Sequence, residues 1–172
     1  MFRFREKERM RRTEKEITNR REIDLILSKA TVCRIGLIDQ DAPYIVPLNF
    51  GYSNNCLYFH SAPNGKKIEL LKKNPLVCFE VDIHHEIIYT GLPCRWSTNY
   101  ESVIGYGKTS FITEMEQKQK ALHIIIDHYS PGSSYVFPEK NLKEVTVIKI
   151  EISQMTGKKS YEIKETYTDT NI

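Results

Sequence analysis

Between Asn19 and Ala30 the apolar residues Ile23, Ile26, Leu27 and Ala30 recur at i, i+3, i+4 and i+7, the period of one buried helix face. Asn19 followed by Glu22 has the spacing of a capping box, with Asn in place of the usual Ser or Thr. From Thr31 the period drops to two. In TVCRIGLI, Cys33, Ile35 and Leu37 share one side. After the turn DQDA, the run PYIVPLNFGY sets Tyr44, Val46, Leu48 and Phe50 against Ile45, Pro47 and Asn49. A second turn, SNN, leads into CLYFHS. Three alternating runs on such short connections predict an antiparallel meander. Pro47 has no N–H to give to a ladder. It therefore belongs at an edge, at a bulge, or where a ligand replaces a neighbouring strand.

The helical period returns from Lys66 to Asn74, with Ile68 and Leu71 inward and Pro75 ending the segment. LVCFEVD is a fourth strand. HHEIIYTGLPCRWSTNY, residues 84–100, mixes apolar and polar positions without a period and is expected to be irregular. SVIGYGKTSFI is a fifth strand, and its Gly105 and Gly107 share one face, as a coiled barrel strand or a close backbone approach requires. Thr113 with Glu116 has capping-box spacing and opens a helix bearing Met115, Leu122, Ile125, Ile126 and Tyr129, stopped by Pro131-Gly132. EVTVIKIEI is a sixth strand. The expected fold is mainly β with flanking helices: six strands, mostly antiparallel, in a small closed or split barrel with three helices outside. Residues 1–18 form a charged leader, 19–159 the domain and 160–172 a polar tail.

A chain of 172 residues suffices for one domain with a proper core, and 40% apolar with 27% charged residues is ordinary for a globular protein. The net charge of +3 is too mild to argue for nucleic acid. The leader alternates Arg and Lys with Glu6, Glu8, Glu14 and Glu16, the pattern of a solvated helix or tail rather than a nucleic-acid arm. No stretch has the apolar length of a membrane span or of a secretory h-region. Cys33, Cys56, Cys78 and Cys94 form no C-x-x-C pair, and they read as reduced structural cysteines of a cytoplasmic protein.

Candidate chemistry concentrates in LYFHSAPNGKKIELLKKNP, Leu57 to Pro75. It passes from a strand through Gly65 into a helix. The first N–H groups of a helix lack internal acceptors and its dipole is positive there, so Gly65, Lys66 and Lys67 suit a phosphate. On spacing alone an ordinary surface turn is the favoured reading, and the P-loop pattern is absent. Metal binding has little support. His84 and Glu86 could converge on one strand face without a third ligand, and His123 and Asp127 are four apart on an expected polar helix face. Trp96, Tyr100 and Tyr106 are either core or interface aromatics or a stacking platform. No nucleophile elbow is present.

In combination, VCRIGLIDQDAPYIVPLNFGY, LYFHSAPNGKKIELLKKNPLVCFEVD, YESVIGYGK and MTGKKS resemble the pyridoxamine 5'-phosphate oxidase-related flavin-binding proteins. The resemblance runs from about Met10 to Lys159 and is strongest to the nitroimidazole-resistance branch. It implies an FMN-binding split β-barrel and a homodimer with FMN at the interface. It assigns Val46, Pro47, Leu48 and Asn49 to the strand lining the isoalloxazine ring. His60 and Ser61 fall at the ring and ribityl edge, with His60 the residue tied to the substrate and so the candidate catalytic group. Gly65, Lys66 and Lys67 hold the phosphate, and Ser102 approaches the cofactor, from the partner subunit in one arrangement. Gly65-Lys66-Lys67 stands where the oxidase proper has Ser-Arg-Lys, and the tail lacks the oxidase's Arg and His motif. Pyridoxamine phosphate is therefore not the expected substrate. The implied activity is reduction of a small electrophile, such as a nitro-aromatic, with NAD(P)H as hydride source. The alternative is a non-catalytic flavin- or haem-binding store or sensor.

Overall fold

The computed structural model describes residues 10–161, so the first half of the charged leader and nearly all of the polar tail lie outside the described residues. Helix α1, Arg20–Lys29, buries Ile23, Ile26 and Leu27. Its Asn19 side chain accepts a hydrogen bond from the Arg21 N–H at 2.9 Å. Glu22 does not reach back to close the box, and instead pairs with Lys159 at 2.6 Å. Helix α2, Lys66–Lys73, buries Ile68, Leu70 and Leu71. It ends at Asn74, whose N–H reaches the Leu70 carbonyl at 2.8 Å, just ahead of Pro75.

Helix α3, Met115–Tyr129, corrects an expectation. Its N-cap is Glu114 and no side chain caps it, because the preceding strand runs to Ile112 and leaves Thr113 one residue short of the cap. Lys118 Nζ of α3 donates to the carbonyls of Leu142 and Val145 at 3.1 and 2.9 Å. Those bonds tie down the last turn of α4, Glu139–Glu144, a fourth helix that the pattern did not announce.

Eight strands form one sheet: β1 Glu16–Ile17, β2 Cys33–Asp39, β3 Ala42–Leu48, β4 Gly51–Ser53, β5 Cys56–Ser61, β6 Leu76–Ile88, β7 Ser97–Ile112 and β8 Thr146–Ser160. The order is β3-β2-β6-β7-β8-β5-β4, with β1 added beside β8. The two strands beyond the expected six have identifiable origins. PYIVPLNFGY divides because β3 pairs with β2 and β4 pairs with β5, so the chain changes partner at Asn49-Phe50. Glu16 and Ile17, expected within the leader, pair with Lys158 and Gly157. The stretch 84–100 is also more regular than expected. β6 continues to Ile88 through a bulge after Ile83, where His84 has φ 57°, and β7 begins at Ser97.

β3 and β4 end the strand order and are joined by the chain alone, so the barrel is split between them. Pro47 therefore sits on an end strand, opposite Arg34 of β2. β7 and β8 shift register between Tyr106 and Gly107, the bulge that curves these long strands. A Cβ on Gly105 would lie 2.3 Å from the Phe79 ring, and one on Gly107 would lie 2.5 Å from the Glu151 carbonyl oxygen. Both same-face glycines thus serve close approach. Inside the curve a single core gathers Cys33, Ile35 and Leu37, Leu57 and Phe59, Phe79 and Val81, and Ile148 and Ile150, closed by α1 and α2. Ala121, Leu122 and Ile125 of α3 form a smaller cluster with Leu142 and Val147.

Candidate functional site

Four residues, 62–65, connect β5 to α2. Gly65 has φ 121° and ψ 166°, a backbone region that disfavours any side chain, and a Cβ there would meet nothing within 4 Å. No side chain caps α2. The N–H groups that open the helix thus have no side-chain cap and sit at the positive end of the dipole, a donor set matched to an oxyanion. Lys67 is half-buried, and burial pushes its pKa down from the usual lysine range. Lys66 points elsewhere. Its Nζ lies 2.6 Å from Asp39 Oδ2 and 4.6 Å from the centroid of the Tyr44 ring. The Asp39 hydrogen bond holds the Lys66 ammonium above the usual lysine range.

The Lys66–Tyr44 contact ties the start of α2 to β3, the strand of Val46, Pro47 and Leu48. Alternation along β3 sorts these side chains. Tyr44, Val46 and Leu48 pack against the core, whereas Ile45, Pro47 and Asn49 point outward. Val46 and Leu48 therefore offer a ligand only their backbone. Among the described residues β3 has β2 on one side alone, so alternate backbone groups along it meet no described strand. His60 is exposed on the outer face of β5 and Ser61 is half-buried at its end. The β4–β5 ladder stops at Gly51 opposite Tyr58, and the same register continued by two residues sets Asn49 level with His60. Pro47 and Asn49, His60 and Ser61, and Gly65–Lys67 thus lie on or beside the segments that border the split in the barrel. Ser102 is not among them. It lies on β7 between Asp82 of β6 and Lys158 of β8, with β2 and β6 between it and β3.

Several of the remaining polar and aromatic residues have structural partners. His85 bonds to Asp82, and no group of three or more potential metal ligands occurs among the described residues. His123 meets Phe137 edge-on at 5.0 Å, and Asp127 accepts a hydrogen bond from the Gly132 N–H at 2.9 Å. Trp96 packs edge-on to Tyr89 at 4.9 Å and donates Nε1–H to the Thr90 carbonyl at 3.0 Å, stiffening the β6–β7 hairpin. Asp39 is the site neighbour that pattern does not single out. In DQDA it reads as one more turn residue, and only the packing of α2 against β2 brings it to Lys66.

Residues 19–159 match the family model described as pyridoxamine 5'-phosphate oxidase. The chain is similar to the crystal structure of a candidate 5-nitroimidazole antibiotic resistance protein from Bacteroides thetaiotaomicron, with 39% identity, TM-score 0.75, and 83% of this chain and 85% of that one covered. It shares its fold with an FAD- and heme-binding protein from Mycobacterium smegmatis, at 18% identity and TM-score 0.80, covering 88% of this chain and 76% of that one. An uncharacterized protein of Rhizobium meliloti (strain 1021) is 32% identical over 65 residues, 38% of this chain and 42% of that protein's length.

Proposed function

Because the chain belongs to the pyridoxamine 5'-phosphate oxidase family, we propose that it is an FMN-binding flavoprotein that reduces a small electrophile, a nitro-aromatic among the candidates, with electrons from NAD(P)H. The observation that carries this is the uncapped start of α2 behind Gly65, open to solvent and beside the end strand of a split barrel. Bound FMN would supply the redox chemistry, and the protein position and electrostatics. Lys67 and the first N–H groups of α2 would hold the phosphate as point charge and dipole, without the bidentate fork of an arginine. Pro47, Asn49 and the outward backbone of Val46 and Leu48 would lie along the ring, with Ser61 at its edge. His60, exposed beside that edge, would meet the substrate.

Ser102 lies away from this cluster, which supports a dimer in which the partner copy brings it to the cofactor. Asp82 and Lys158 flank Ser102 itself, and from two residues along β7 the outer face carries exposed apolar side chains that suit such a contact. Ile45 is 63% exposed, Ile104 45% and Tyr106 43%. Across the sheet, Ile45 pairs with Gly36 of β2, Gly36 with Cys78 of β6, and Cys78 with Tyr106 of β7.

A visible spectrum of purified protein tests the core of this proposal. Bound or avidly taken-up FMN is expected, and a colourless protein that takes up none would sink it. Lys66→Ala with Lys67→Ala should weaken FMN uptake at least tenfold, roughly the effect of losing a charge-assisted phosphate contact. A titration unchanged by the double substitution would remove the phosphate from α2. The second reading, a non-catalytic flavin or haem carrier, draws on the fold shared with the Mycobacterium smegmatis protein. Bound flavin that NADH and NADPH both fail to bleach under anaerobic conditions would favour it.

A further inference from the structure

Resting on the flavin reading, we propose that Asp39 competes with the flavin phosphate for Lys66 and so limits how strongly the site prefers a phosphorylated flavin. Of the two lysines that open α2, Lys67 has burial as the sole cause of its pKa shift. Lys66 is different. Its ammonium is 2.6 Å from the Asp39 carboxylate and lies over the Tyr44 ring, so its positive charge is already shared between an anion and a π face. Asp39 is held where it can do this. It pairs with Ala42 across the two-residue turn Gln40-Asp41, and Gln40 takes φ 56° to close that turn. Lys66 is fixed to the first turn of α2, which packs on β2. Both partners therefore come from defined backbone rather than from floppy segments.

A dianionic phosphate at the start of α2 meets the Asp39 charge as well as the lysines. It must draw Lys66 away from Asp39 or bind beside a neutralised pair. Either route weakens the monophosphate and leaves an unphosphorylated ribityl chain untouched. Asp39 is thus a specificity-determining residue that acts through Lys66 and touches no reacting atom.

The test is titration of flavin fluorescence with wild-type protein, Asp39→Asn, Lys66→Met and the double variant, using FMN and riboflavin as probes. Asp39→Asn should tighten FMN by about three- to tenfold, the range for removing one partly exposed charge near a phosphate, while riboflavin binding stays the same. In the Lys66→Met background the same substitution should tighten FMN by less, since the pair is already broken. The gain should shrink as salt is raised. FMN bound equally well or more weakly by Asp39→Asn would overturn the proposal and make Asp39 an aligner of Lys66. An equal change for riboflavin would also overturn it. If the wild-type protein takes up neither flavin, the flavin reading itself fails and this proposal with it. Uptake by wild type without the Asp39→Asn gain removes the proposal alone. A thermal melt within a few degrees of wild type would show that Asp39→Asn still folds.

Discussion

At the scale of single residues, glycine carries much of the architecture. A Cβ on Gly51 would lie 2.7 Å from the backbone of Ile124, and one on Gly107 2.5 Å from the Glu151 carbonyl oxygen, while one on Gly36 would meet Cys78 at an ordinary 3.7 Å. Backbone cannot swing aside as a side-chain tip can. Gly51→Ala and Gly107→Ala should each cost about 2 kcal/mol or more in urea unfolding, the scale of overpacking, and Gly36→Ala well under 1 kcal/mol. Equal midpoints for all three would show that α3 and β8 shift freely. Gly107 was legible in the sequence, because two glycines on one face of a strand invite a close neighbour. Gly51 was not. Inside PYIVPLNFGY it looks like the end of a long strand, and the α3 backbone that crosses it is more than seventy residues away in the chain. Asp39 was hidden for the same kind of reason, since its role depends on where α2 docks.

At the scale of elements, the long periodic segments were legible and the short ones were not. α1, α2 and α3 show their buried stripes, and β2, β5 and the first half of β6 alternate cleanly. β1 with two residues and β4 with three are too short to have a period, and both exist through their partners. The last five residues of β8, TGKKS, lie beyond the sixth strand that the pattern predicts, EVTVIKIEI, yet they are held between β7 and β1. Across the outer face of β2 and β6, Arg34 bonds to Glu80 at 3.0 Å and to Asp82 at 2.6 Å. Burial pushes Glu80 up, aided by the Asp82 charge. Burial also acts to raise Asp82, but Arg34 and His85 outweigh it and hold the Asp82 carboxyl below its ordinary range. The two carboxylates therefore pull stability in opposite directions with pH. Asp82 contributes above the unfolded carboxyl pKa of about 3.9, and that contribution is lost as pH falls through its lower folded value. Glu80, raised in the fold, loses its penalty as pH falls. Asp82→Asn should cost about 1 kcal/mol at pH 7 and progressively less toward pH 3, whereas Glu80→Gln should cost less at pH 7 than Asp82→Asn. Urea midpoints across that pH range check the order, and a larger loss from Glu80→Gln at pH 7 would reverse the assignment.

At the scale of the whole molecule, the split barrel positions the candidate site, and its exposed sheet face is where the proposed dimer would form. Tyr106→Glu and Ile104→Glu put a charge at exposed positions on that face. Each should yield a folded monomer by sedimentation and, if the partner supplies Ser102 to the cofactor, lower FMN uptake as well. A variant that remains dimeric would place the contact elsewhere. A closed or split barrel was expected from the strand count and the bends at glycine and Pro47, and the family resemblance implied the split. The split's location, at Asn49-Phe50, was hidden because a change of strand partner leaves no mark on an alternating pattern. The strand order also bears on how the chain is made. β8 occupies the middle of the sheet, between β7 on one side and β5 with β1 on the other, yet it is the last of the described strands to be synthesised. Until it leaves the ribosome, β2, β3, β6 and β7 can assemble, but the β4–β5 hairpin and β1 have no strand to join. The nascent protein must therefore carry an open sheet edge until β8 emerges, and the region around the split is completed only when that strand is inserted.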